Sequence, residues 1–259
     1  AGRNAGNLQT AVDLGVIDRF ETDLTRAVAG ADMVVVCVPL GAMEAVFAGI
    51  KGQLEKHAVL TDAGSAKGSV IEAAQRAFGH VPEFFVPGHP IAGTEQSGVE
   101  ASFSSLYVDR RVILTPLPAT AANATDRVRE MWQAAGAQVV SMDPIHHDAV
   151  LAATSHLPHV LAFSLVDTLS RLDETDEVFD YAAGGFRDFT RIASSDPVMW
   201  RDICVANGDA IQLMIEHYIA DLQSVSEAIQ NQDGEQLLDI FSRARAARDR
   251  YIDKQGSSG

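Results

Sequence analysis

Residues 88–95 read Gly-His-Pro-Ile-Ala-Gly-Thr-Glu. An imidazole is the side chain best suited to exchange a proton near neutral pH. This one stands between Gly88 and Pro90, directly after the apolar run Phe84-Phe85-Val86. Proline restricts the residue before it to extended backbone, so His89 is expected at the end of a strand. It is either a proton acceptor at a ligand site or a satisfied histidine in a turn. A second segment reads Thr61-Asp62-Ala63-Gly64-Ser65-Ala66-Lys67-Gly68. Gly64 permits a tight turn there, and Ser65 either caps the next helix or orients an imidazole or a substrate hydroxyl. In a third, Ser155-His156-Leu157-Pro158-His159, two histidines lie three positions apart. That spacing can suit a metal, but no acid or cysteine stands at a matching offset, so no metal is expected. A kinked helix presenting one histidine to a pocket is the better reading. The fourth is Gly184-Gly185-Phe186-Arg187-Asp188-Phe189-Thr190-Arg191-Ile192-Ala193. A guanidinium there can grip a carboxylate through two parallel hydrogen bonds. The alternative is a surface ion pair of Arg187 or Arg191 with Asp188.

The elements that must position these groups fall into two rhythms. Up to about residue 142, short apolar runs alternate with helical patterns. Met33 to Val38 has no polar alternation, as expected of a parallel strand covered on both faces. Further strands are expected at Ala58–Thr61, Glu83–Val86, Arg111–Thr115 and Gln138–Ser141. Helices are expected through Leu54, over Ser65–Ala77 and over Ala121–Ala135. This pattern predicts an α/β fold with a mostly parallel, doubly wound sheet, whose ligands bind beyond the carboxyl ends of the strands. After Asp143 only helical patterns follow: His147–Leu172 with Pro158 as a kink, a helix from Asp196-Pro197, then Ile203–Ile229 and Glu235–Tyr251. The predicted division is 1–142, 143–255 and a flexible tail at 256–259.

The chain has 259 residues, 47% of them hydrophobic, so a sizeable core is expected. A net charge of −15 argues against nucleic acid and anionic membrane surfaces as partners. No run of 18 apolar residues exists, so no membrane span is expected. Cys37 and Cys204 lie in apolar stretches and read as buried free thiols of a reducing cytoplasm.

A dinucleotide-binding sheet normally opens with a strand and a Gly-x-Gly-x-x-Gly turn. No such turn occurs here. Ala1-Gly2-Arg3-Asn4 and the helix-like stretch from Asn7 resemble the end of a second strand and its helix. The first βα unit, roughly 30 residues, is thus expected to be missing. Either it lies upstream, or the sheet binds no dinucleotide.

The order Asp-x-Gly-Ser-x-Lys, Gly-His-Pro-Ile-Ala-Gly-Thr-Glu, Ser-His-Leu-Pro-His, Gly-Gly-Phe-x-Asp-Phe-Thr-Arg-Ile-Ala and Asp-Pro-x-Met-Trp resembles the prephenate/arogenate dehydrogenase family from Asn7 to about Tyr251. The resemblance implies a Rossmann domain followed by an all-α dimerisation domain. It implies a cytoplasmic homodimer that oxidatively decarboxylates a small-molecule substrate with NAD, or NADP, on the route to tyrosine. Carried over by motif, the catalytic histidine falls on His89 and its serine partner on Ser65. The substrate-contacting histidine falls on His159 and the carboxylate-binding arginine on Arg191. Thr94, Glu95, Asp188 and Gly184 fall near the substrate, and Trp200 on a wall of the site. Arg3, Val38, Pro39, Gly64 and Ser65 fall at the cofactor. Gly2 stands where the ribose-binding acid is usual, with Arg3 able to receive a 2′-phosphate. Two other readings stay open. One is a binding or dimerising protein without catalysis. The other is a β-hydroxyacid dehydrogenase, which would use a helix lysine, here Lys67.

Overall fold

The computed structural model describes residues 1–93, 96, 98–173 and 175–256. Its strands are β1 (Met33–Val36), β2 (Val59–Asp62), β3 (Phe85–Val86), β4 (Gly88–Pro90), β5 (Arg111–Leu114) and β6 (Gln138–Ser141). The α-helices of this part are α1 (Ala5–Asp13), α2 (Leu24–Val28), α3 (Met43–Ile50), α4 (Lys67–Phe78) and α5 (Ala122–Ala134). Then come α6 (Pro144–Leu151), α7 (Leu157–Ser170), α8 (Thr175–Asp180), α9 (Gly184–Thr190), α10 (Pro197–Ala206), α11 (Gly208–Gln230) and α12 (Gly234–Gly256). Residues 1–211 form one compact unit and residues 212–259 another.

Strand pleating distributes the core of the first unit. Leu60 and Phe85 pack with Met43, Phe47, Ile50 and Val70 of α3 and α4. Their neighbours Val59 and Val86 join Val112, Val128 and Trp132, which include the α5 side. Successive strand residues face opposite ways, so one apolar run serves both layers. Phe47 is fully buried and meets Phe85 edge-on at 5.3 Å.

The expected parallel sheet is realised for β1–β2, β2–β3 and β5–β6. The β4–β5 pair is antiparallel, with His89 opposite Ile113. Parallel neighbours need a long crossover, usually a helix. Among the described residues between β4 and β5 only a short 3-10 turn, Val99–Ala101, forms. His89 is therefore inside a strand rather than just past one. Gly88 is required at its start: a Cβ there would lie 3.1 Å from the Asp62 carbonyl oxygen.

Several local expectations are corrected. Helix α4 begins at Lys67, two residues after Ser65, and its cap position Ala66 has no side-chain bond to offer. The Asp148 carboxylate from α6 takes over, accepting from the Lys67 and Gly68 amides at 2.8 Å each. The predicted kink at Pro158 is a π-helical turn, Ala152–His156, just before it. Proline removes a helix hydrogen bond and crowds the carbonyl four residues back, so the preceding turn widens. The predicted helix Ile203–Ile229 is broken at Asn207, whose backbone leaves helical geometry. Asp196 does cap α10, accepting from the Met199 amide at 2.7 Å. Neither cysteine is fully buried: Cys37 is exposed and Cys204 intermediate. Cys37 follows the last residue of β1, where the chain leaves the cover of the sheet.

The continuous helical stretch Pro144–Ser170 is long and apolar enough to cross a bilayer, contrary to the expectation. Its polar side chains His147, Asp148 and His156 are hydrogen-bonded to groups of the same unit. The stretch packs as a layer of the first unit.

In the second unit, α11 and α12 are joined by a tight turn at Gln232, whose φ is +53°. Gln236 of α12 donates to Ser224 of α11 at 3.1 Å.

Candidate active site

The site grows from the end of β2. Asp62 accepts from the Gly64 amide at 2.7 Å and the Gly88 amide at 3.1 Å. The Lys67 ammonium, fully buried, donates to Asp62 Oδ2 and to the Gly88 carbonyl, both at 2.6 Å. One ion pair thus ties the β2–α4 turn to the first residue of β4. Burial pulls the Lys67 pKa below its ordinary value, opposed by Asp62. The frame it makes holds the backbone of His89.

The His89 ring meets a second histidine. Its Nδ1 is 2.9 Å from His147 Nε2, with the rings edge-on. His147 is fully buried, and its Nδ1 lies 2.7 Å from Asp148 Oδ1. His89 itself is only 8% exposed. Burial, reinforced by Lys67, His147 and His156, holds its pKa well below the ordinary imidazole value. Asp148 shows the opposite balance. Burial would raise its pKa, but hydrogen bonds from His147 and the Lys67 and Gly68 amides bring it below the usual value.

The π-helical turn places the other two histidines. His156 is buried and its Nδ1 lies 3.1 Å from Asn207 Nδ2, which also donates to the Asp148 carbonyl at 2.9 Å. Burial pushes the His156 pKa down to about 4. His159 stacks on Trp200, with ring centroids 3.6 Å apart and planes at 19°. Its Nδ1 is 2.9 Å from the Ser155 carbonyl oxygen, which fixes Nδ1 as the donor. Both histidines thus have hydrogen-bonding roles that need no metal.

The structure treats the other expected residues unevenly. Ser65 is half-buried in the β2–α4 turn and makes no hydrogen bond to His89. Val38 and Pro39 follow β1 in the adjoining loop. Gly64 packs against that loop: a Cβ there would lie 2.9 Å from Leu40 Cδ2. The two loops lie beyond the ends of β1 and β2, where an open α/β sheet binds its ligands. Arg3 lies exposed at the start of α1, with Asn4 capping that helix. Gly184 and Asp188 are exposed on α9, which packs against α7, the helix of His159. Arg187 pairs with Asp188 loosely, at 4.0 Å. Arg191 is exposed and opens the 3-10 turn that also packs on α7. Thr94 and Glu95 lie outside the described residues.

Sequence reasoning missed His147, Asp148 and Asn207, and it singled out His156 only as one of a histidine pair. A signal existed in His146-His147-Asp148, where an acid follows adjacent imidazoles just past a strand. Lys67 stood out only as the marker of a rival chemistry.

Residues 1–141 match the family model described as prephenate dehydrogenase, nucleotide-binding domain, and residues 143–243 match prephenate dehydrogenase, dimerization domain. The chain is 41% identical over 241 residues to the cyclohexadienyl dehydrogenase of Zymomonas mobilis, spanning 92% of this chain and 80% of that protein. It is 34% identical to the prephenate dehydrogenase of Bacillus subtilis, over 92% of this chain and 65% of that one. Its fold resembles the crystal structure of Aquifex aeolicus prephenate dehydrogenase in complex with hydroxyphenyl propionate and NAD+. The TM-score is 0.88, with 37% identity, covering 95% of this chain and 86% of that one. By these matches to both of its halves, the chain belongs to the prephenate dehydrogenase family.

Proposed function

We propose that the protein oxidatively decarboxylates prephenate, arogenate or both, with a nicotinamide dinucleotide. The observation that carries this reading is His89: an imidazole held neutral by burial, in a rigid strand, beside the loops that would receive the cofactor. Relatives named for prephenate and cyclohexadienyl substrates, and one bound to NAD+ and a carboxylate-bearing phenol, support the reaction class.

The bound dinucleotide would supply the hydride acceptor, held by Val38, Pro39, Gly64, Ser65 and, at its adenosine end, Arg3. His89 accepts the proton of the substrate's ring hydroxyl, which favours a ketone at that carbon as the ring carboxylate leaves as carbon dioxide. Aromatisation drives the release. Ser65 holds the hydroxyl in line. Arg191 binds a substrate carboxylate, and the motif resemblance assigns Thr94, Glu95, Asp188 and Gly184 to substrate binding too. His159, fixed by Trp200 and Ser155, contacts the ring side. NAD is the expected cofactor. The acid usual at the ribose is replaced by Gly2, so Arg3 also lets NADP bind.

Lysine-based chemistry is disfavoured by the geometry. Lys67 is fully buried, with its ammonium committed to Asp62 and Gly88. The division of labour follows the sequence rhythm, with the cofactor on 1–142 and substrate and partner on 143–255. Apolar side chains left exposed on the helices, such as Val205, Leu213, Leu238 and Phe241, suit pairing with a second copy. Two unpaired cysteines suit a cytoplasmic enzyme.

The test is an initial-rate assay of the intact protein with both substrates against both cofactors. Turnover with at least one pair is expected, and no turnover with any pair would leave only a binding or dimerising role. Arg3→Ala is expected to raise KM for NADP selectively; equal effects on both cofactors would remove Arg3 from that role.

A further inference from the structure

We infer that His147 and Asp148 form a positioning relay behind His89, fixing its tautomer so that Nε2 is the basic nitrogen. The inference rests on the reading of His89 as proton acceptor, and it names the groups that make that reading work.

The hydrogen-bond directions follow from chemistry. An ionised carboxylate only accepts. Asp148 is tied down by two backbone amides at the start of α4, at 2.8 Å each. Gly68 makes this approach possible, since a Cβ there would lie 3.0 Å from Asp148 Oδ2. His147 Nδ1, 2.7 Å from Asp148 Oδ1, must therefore carry the hydrogen. In neutral His147 that leaves Nε2 as an acceptor. The group facing it at 2.9 Å is His89 Nδ1, which must donate. His89 is then protonated on Nδ1 and bears its lone pair on Nε2, which bonds to none of the described residues.

When the substrate hydroxyl gives its proton to Nε2, His89 becomes an imidazolium. The positive charge is shared along Nδ1–H toward His147, whose own Nδ1–H points to the Asp148 carboxylate. No proton needs to leave the relay for the step to balance. The same carboxylate caps α4, so the α6 and α4 backbones hold the relay together. Neither His147 nor Asp148 touches substrate in this account; both are positioning residues.

The experiment is long-range 1H–15N NMR of the intact protein with 15N-labelled histidine, assigned with His89→Asn. His89 is expected as the Nδ1–H tautomer. In His147→Leu, which removes the acceptor, the signal is expected to move to Nε2–H and kcat to fall about 100-fold, with KM within about twofold. His147→Gln, whose Oε1 can occupy the acceptor position, is expected to restore the Nδ1–H tautomer and part of the rate. An Nε2–H tautomer in the wild type overturns the relay without any variant needing to fold. An unchanged tautomer and kcat in His147→Leu overturns it too. Failure of the underlying reading looks different: His89→Asn would then turn over like the wild type, whatever tautomer His89 shows.

Discussion

The surroundings of His89 and of Arg191, the two sides of the proposed site, are built in opposite ways. Around His89 the charged and imidazole groups are largely buried and paired: Asp62, Lys67, Gly88, His147 and Asp148 form one connected set. Around Arg191 and Asp188 the side chains are exposed, on a short helix and a 3-10 turn resting on α7. The first arrangement suits a group whose proton affinity and direction must be set before substrate arrives. A buried, hydrogen-bonded frame does this because its dipoles are already oriented. The second suits a group that must meet a charged ligand coming from solvent. A desolvated arginine would meet that carboxylate less readily.

This contrast can be broken at defined points. The largest effect is expected at the base itself. His89→Asn should lower kcat by about 10²- to 10⁴-fold, the usual contribution of a positioned acid–base group, with the affinity for a substrate analogue nearly unchanged. Next comes the frame. Lys67→Met leaves the fully buried Asp62 without its cation, a loss of about 3–5 kcal/mol. It should appear as a lower denaturant midpoint at unchanged slope, and a shift worth under about 1 kcal/mol would show that the pair is not what holds the frame. On the open side, Arg191→Ala should move stability by no more than about 0.5 kcal/mol. Its KM should rise about 10- to 100-fold, the worth of a hydrogen bond between charged groups, with kcat less affected. A large loss of stability there would contradict the division drawn above.

Acid sensitivity of the buried side tests the same comparison through pH. His156 titrates at about 4 in the folded protein, against about 6.5 in an unfolded chain. Between these values the unfolded chain binds a proton that the folded chain refuses. Stability is therefore full above about pH 6.5 and falls as pH drops toward 4, by up to about 1.4 kcal/mol per pH unit for this group. Denaturant midpoints between pH 7 and 4 check this, and His156→Asn should flatten the slope if its fold is kept.

The sequence makes the local geometry of the site legible and hides its long-range bonds. Pro90 forces His89 into extended backbone, and β4 carries it that way. The apolar run of β1 has no alternation and reads as covered on both faces, but Val35 is left exposed; β2 is the strand buried on both, with Leu60 in one core and Val59 in the other. The direction of β5 was not legible, because nothing in residues 91–110 says that the chain turns back instead of crossing over. The partners of His147 and Asp148 were hidden for a related reason. They stand 58 and 80 positions from the groups they bond, and neither spacing nor periodicity encodes such a contact. Ser65 illustrates the converse error. It has the chemistry of a cap, but α4 starts two residues later and takes its cap from another helix. The π-helical turn before Pro158 is the intermediate case: proline announces a disturbance there, and only packing decides its form.

The central claim is that burial keeps His89 neutral so that it can act as the proton acceptor. It is tested most directly by the pH dependence of kcat/KM for the wild-type protein, compared with the residual activity of His89→Asn. The acid limb should lie clearly below pH 6.5, the ordinary value for histidine, and it should vanish in the variant. An acid limb at or above pH 6.5, or the same limb in both proteins, would contradict the assignment of the proton to His89.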